Sequence, residues 1–256
     1  MKLFRKMLLE ICPTAILMTL LGSITLCIAC YIVSTNTSIY YPIEIWIEGC
    51  SWLDFFLPLI AVTPFSYTLY MKRKNNYLTY AAVRIDGKRY IRTSILAGMT
   101  AAGVSVFIIY FSALLISLEF FYHGADFENK YLLDYIFGTM QAEHPVWFGL
   151  LWCLWKGLVS SLFTWFGYRL ALYINQVFLI STLPFLYCMA ENMCLSLLGK
   201  PAFSLTTVFV LNRLSPQVMH VWNYGFGLIS YVIVVNFILW ILKKKRGGVY
   251  ESDSYN

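Results

Sequence analysis

Two ionisable residues stand deep inside apolar stretches of this 256-residue chain: Lys156 in LLWCLWKGLVSSLF and Glu191 in LPFLYCMAENMCLSLL. A charge at bilayer depth is costly and is retained where it pairs, binds or relays. If neighbouring apolar segments bring them together, Lys156 and Glu191 form a buried ion pair; otherwise Lys156 snorkels and Glu191 sits near the outer interface. Asp54 and Glu119 fall near segment ends, where water should reach them. His123, His144 and His220 lie outside the apolar segments, with no HExxH and no paired histidines at helical spacing, so no metal centre is expected. There is no GxSxG and no glycine-rich phosphate cradle, which argues against a hydrolase and against nucleotide hydrolysis by this chain alone. Of the seven cysteines, Cys27 and Cys30 form a CxxC without a second pair or a nearby histidine, so they read as small hydrophobes. Cys30 and Cys50 could both lie near the outer face, which leaves a disulfide open.

The elements that must position these groups are membrane spans. The chain is 59% hydrophobic, 18% aromatic and only 12% charged, about half the charge of a soluble domain. Six spans are expected, at about 11–33, 50–71, 93–122, 145–165, 177–198 and 225–242, in a single all-α transmembrane domain over 1–246 with a short tail at 247–256. The first apolar run is long enough to span and is not followed by a cleavage site, so it is read as retained. The span at 93–122 exceeds the roughly 20 residues a bilayer needs and should be tilted or protrude. Its small residues Ala97, Gly98, Ala101, Ala102 and Gly103 permit close helix approach. Pro58, Pro64 and Pro184 allow kinks. Residues 131–137 could form a short interfacial helix. The apolar stretch at 199–224 is too short to span twice and reads as outer re-entrant or interfacial helices.

Charge placement gives the orientation. Fifteen of the 19 Lys and Arg fall at Lys2–Lys6, Lys72–Arg92, Arg169 and Lys243–Arg246, leaving Lys130, Lys200 and Arg213 for the opposite loops. The positive-inside bias then places both termini in the cytoplasm. The net charge of +6 is accounted for by lipid-facing clusters, and no nucleic-acid partner is expected. The cluster at 72–92 exceeds what anchoring needs. Tyr77, Tyr80, Ala81, Arg84 and Ile85 suit a short amphipathic helix, and Asp86-Gly87 a turn that ends it.

With its six spans, inward ends, basic loop after the second span and outer re-entrant segment, the chain resembles the membrane subunits of ATP-binding-cassette exporters of the type-2 permease class. Locally the resemblance lies in YLTYAAVRIDGKRYIRTSILAG, where such permeases carry an Arg, a turn and a Lys/Arg-Tyr pair leading into the third span. It implies a multi-pass plasma-membrane protein of bacterial type, paired with a second permease copy and with cytosolic ATPase subunits that bind the ATP. The chain itself would hold no cofactor and catalyse no reaction. The loop, with Tyr77, Tyr80, Arg84, Asp86, Gly87, Lys88, Arg89 and Tyr90, would be the ATPase-coupling helix. The cargo class would be amphipathic: peptide, antibiotic or lipid-like. A non-transporting membrane partner, such as an immunity or sensor-associated protein, is the alternative reading, and an intramembrane enzyme a more distant one.

Overall fold

The computed structural model describes residues 2–78, 80, 86–122 and 131–246, with no strand among them. Arg84, His123 and the tail at 247–256 lie outside the described residues. The helices are α1 (Lys2–Asn36), α2 (Glu44–Asp54), α3 (Leu57–Lys74), α4 (Gly87–Ile116), α5 (Gly138–Glu143), α6 (Pro145–Tyr173), α7 (Val177–Leu197), α8 (Leu205–Phe209) and α9 (Val221–Arg246). A π-helical turn, Ser117–Phe121, extends α4, and 3-10 turns occupy Tyr131–Asp134 and Pro201–Phe203. Five helices are long and apolar enough to cross a membrane, and α2 with α3 makes a sixth span bent by 54°. This is the architecture of an all-helical, multi-pass membrane protein.

Local chemistry sets the helix boundaries. The second span, expected as one helix from residue 50, starts at Glu44 and breaks at Phe55-Phe56. Pro58 causes the break: it has no N–H to donate and its ring would collide with the carbonyl of Asp54, four residues back. Pro64 and Pro184 are absorbed within α3 and α7. Helix α3 ends at Asn75 and Asn76, the latter at φ 56°, a left-handed conformation that asparagine tolerates after a helix. Helix α7 ends in a Schellman turn. Gly199 at φ 69° donates to Ser196, and Lys200 donates 2.8 Å to Leu195. Pro201 then prevents the helix from resuming.

Helix α4 packs most extensively against α6 and α1, and α3 packs against α6 and α7. The α4–α6 contact depends on missing side chains. A Cβ on Gly157 would lie 2.9 Å from the Gly103 carbonyl oxygen, and one on Gly103 would lie 2.4 Å from Ser161 Oγ. One turn away, Gly98 lies against the Tyr168 ring. The small-residue pattern of the third span is therefore a helix crossing. At one end of the bundle, Lys72 bridges to Glu10 at 2.6 Å, and Arg73 bonds the Ile174 carbonyl and Asn175 Oδ1. This basic end joins the start of α1, the end of α3 and the α6–α7 turn. At the opposite end the Tyr131 hydroxyl donates to Glu44 Oε1. Burial and the neighbouring carboxylate push the Tyr131 pKa up, so it remains the donor.

Residues 199–224 contain the 3-10 turn at Pro201–Phe203 and the five-residue α8, followed by irregular backbone leading into α9. Residues 204–209 are entirely buried against the bundle. Cys30 and Cys50 are buried free thiols rather than a disulfide.

Adding one methyl at Gly157 must separate two backbones. Gly157→Ala should destabilise the purified protein by about 1–3 kcal/mol, the range for overpacking. Gly225→Ala, where the added Cβ meets open space, should leave it nearly unchanged. Thermal unfolding in detergent compares the two.

Candidate functional site: a buried ion pair beside a broken helix

The break after α2 leaves the Asp54 carboxylate at the end of a helix, facing the middle of α6. Lys156 of α6 meets it with Nζ 2.6 Å from Oδ1 and 2.8 Å from Oδ2. Their side chains are 2% and 1% exposed, so water does not reach the pair. Asp54 is thus a buried ion-pair partner, not the wetted end-of-span acid expected from its position. The preceding helix accounts for the difference: α2 begins six residues before the expected span and places Asp54 well inside the packed helices.

A third helix completes the site. The Tyr110 hydroxyl of α4 donates to Asp54 Oδ1 at 2.7 Å, and Lys156 Nζ stands 4.1 Å from the centroid of the Tyr110 ring. Trp46, one face of α2 earlier, offers its ring to Nζ at 5.8 Å and donates Nε1 to the Tyr110 carbonyl at 3.0 Å. The carboxylate therefore accepts three hydrogen bonds, and the ammonium is held by two carboxylate oxygens and two aromatic faces. Such compensation offsets the cost of holding two charges out of water. Among the described residues no group of His, Cys, Asp and Glu could hold a metal ion.

Lys156 and Glu191 do not meet. Glu191 serves a separate polar site: it accepts the Leu205 N–H at 3.0 and 3.1 Å and the Ser204 hydroxyl at 2.9 Å. It thereby satisfies the first turn of α8, whose orphan donors would otherwise be buried without partners. Nearby, Arg213 donates to Asn192 Oδ1 at 2.7 Å, and Asn212 donates to Gln141 at 3.0 Å. Glu191 thus secures the segment at 204–209 and lies outside the ion-pair network.

In the loop after α3, Tyr77, Leu78 and Tyr80 are helical, and Asp86 caps α4 by accepting the Lys88 N–H at 3.0 Å. Tyr80, Lys88 and Arg89 are exposed, Gly87 is half-buried and Tyr90 is buried. Tyr90 is an anchor: its ring lies 6.2 Å from that of Tyr77, with Lys72 Nζ 5.9 Å from Tyr90 and 6.0 Å from Tyr77. The same lysine holds Glu10 of α1. The loop is thus fastened to α1, α3 and α4 by one lysine between two tyrosines.

The sequence signal for Asp54 was present but ambiguous. An acid in WLDFFLPLIA, apolar on both sides and four residues ahead of a proline, marks a charge at a helix break. Its pairing with Lys156 was not legible, because a separation of 102 positions carries no spacing rule. Comparison with protein-family models, curated proteins and solved structures finds no match.

Removing one partner strands the other. Lys156→Met or Asp54→Leu alone should cost about 3–5 kcal/mol, whereas the double substitution should recover most of that loss, since buried pairs are often replaceable by apolar ones. A double-mutant cycle read by thermal unfolding measures the coupling. Additive losses would mean that the two charges act independently.

Proposed function

We propose that this chain is the membrane permease subunit of an ATP-binding-cassette exporter, moving an amphipathic cargo out of the cell with energy from a separate cytosolic ATPase. The observation that carries this reading is the way the loop at 72–92 is built. It exposes aromatic and cationic side chains at the basic end, Tyr80 (72% exposed), Lys88 and Arg89, while Lys72, Tyr77 and Tyr90 fasten its base to three spans. A surface patch that only bound lipid headgroups would need the cations but not the rigid attachment.

The internal geometry supports the same reading. Force applied to the loop enters α3 and α4 directly. Helix α3 leads to the Phe55-Phe56 break, and α4 carries Tyr110 to the Asp54–Lys156 pair. Phe55 and Phe56 pack on Phe185, with centroids at 5.4 and 6.2 Å, beside Pro184 of α7. Two proline-weakened helices therefore adjoin at the level of the charged site, which suits a bundle that bends. The chain's role is to transmit and shape movement; binding and hydrolysis of ATP belong to the partner subunit. Both termini are cytoplasmic in this reading, and the partners are the ATPase, a second permease copy and membrane lipid.

An ATP-binding-cassette ATPase encoded beside this gene should co-purify with the chain from membranes. Charge reversal of Arg84 and Arg89 should abolish that association, or uncouple ATP hydrolysis from export, at unchanged permease abundance. Normal coupling in the double variant, or the lack of any such ATPase, would overturn the assignment. A reporter fused after Arg246 should register on the cytoplasmic side; an external readout would refute the orientation.

A further inference from the structure

Helix α9 is held loosely by the rest of the bundle. It packs on α8, α6 and the 3-10 turn at Pro201–Phe203, and only 17% of its most apolar window is buried. Along its outer side Ile229, Ile233, Asn236 and Trp240 are all exposed, in steps of four, three and four residues. That alternation is the spacing of a helix-pairing seam, in which knobs of one helix enter holes of another. Trp240 stacks there on Phe237 at 6.0 Å, with Lys244 Nζ over its ring at 5.7 Å.

Asn236 distinguishes this face from an ordinary lipid-facing one. Its Nδ2 donates 2.8 Å to the Val232 carbonyl of its own helix, and it makes no further hydrogen bond among the described residues. The residue lies two turns before Lys243, about 10 Å along the axis at 1.5 Å per residue. A short amide at that depth does not reach the headgroups, and lipid tails offer nothing to its Oδ1 or its second N–H. An amide is self-complementary, having both donor and acceptor. Two Asn236 side chains related by a twofold axis satisfy each other, as a single asparagine does within an apolar helix seam. Copies of one chain insert in the same sense, so the pair is parallel. Its lysine-rich ends then emerge together among headgroups, where anionic lipid screens them.

We propose that α9 pairs with α9 of a second copy of this chain through Ile229, Ile233, Asn236 and Trp240, with the Asn236 amides hydrogen-bonded across the twofold axis. The transport reading calls for a second permease copy but assigns it no surface. The pairing concerns self-association alone, so its failure leaves the loop's ATPase contact untouched, and loss of that contact leaves the pairing untouched.

The test uses the full-length chain, singly labelled and reconstituted in lipid bilayers over a range of protein densities, with dimer fraction counted by single-molecule photobleaching. The wild type should dimerise with density, and Asn236→Leu should weaken dimerisation about tenfold, the scale of one interhelical amide contact. Asn236→Gln, which retains the amide, should keep most of the affinity. A photo-crosslinking residue at Ile233 should yield a covalent dimer, whereas one at Ile24 on the exposed face of α1 should not. A wild type that bleaches in one step at every density, leaving the face to lipid, would overturn the proposal. So would crosslinking through Ile24 but not Ile233, or undiminished dimerisation of Asn236→Leu.

Discussion

The exclusion of water from the Asp54–Lys156 pair is the constraint around which the rest of this molecule is arranged. Two ions in a hydrocarbon setting must find all their partners within the protein. Here the requirement draws in four elements. Helix α2 supplies the carboxylate and Trp46, α6 the ammonium, α4 the Tyr110 hydroxyl and ring, and the break ahead of α3 releases Asp54 from continuous helix. No single helix could move far without leaving a buried charge short of a partner. The pair therefore fixes the register between the first half of the chain and the second more strictly than apolar packing could.

Asp54 and Glu191 divide the work. Asp54 fixes helices to one another, while Glu191 fixes a non-spanning segment to a span. A short helix that does not span leaves its terminal N–H groups unpaired, and away from water these must be satisfied by protein. Residues 204–209 meet that condition through the Glu191 carboxylate, the Ser204 cap and the Thr207 hydroxyl, which donates to the Ser204 carbonyl at 2.6 Å. A charge that looked like a candidate reactive group is, in the folded chain, the anchor of a short buried helix.

Much of the plan was legible in the sequence, for identifiable physical reasons. Hydropathy located the spans because the cost of exposing a polar group to lipid dominates every other local preference. Proline and small residues marked the bend and the crossing correctly: Pro58 breaks the second span, and Gly98 and Gly103 sit at the α4–α6 contact. What could not be read was partnership. Lys156 and Glu191, isolated charges in adjacent spans, could have paired had those spans brought them together, yet the partner of Lys156 is Asp54, in another helix altogether. Helix starts were also misjudged where polar residues occupy buried positions, as with Glu44 in the first turn of α2. Tyr90, expected within the exposed loop, is buried against Tyr77 and Lys72, since aromatic content alone does not distinguish a surface residue from its support.

The backbone contact at Gly103 and Gly157 has a mechanical consequence. Most helix crossings interlock by side chains, and rotation there must shear many contacts at once. At this crossing the two glycine backbones meet directly, and the Ser161 side chain beside them donates to the Met99 carbonyl at 2.9 Å. Along α4, Tyr90, packed on Lys72 of α3, lies on one side of it, and Tyr110 with its charged partners on the other. Were α4 to swing, the glycines would be its fulcrum: a small displacement at the basic end would become an opposite one at Tyr110, where the ion pair would limit the travel.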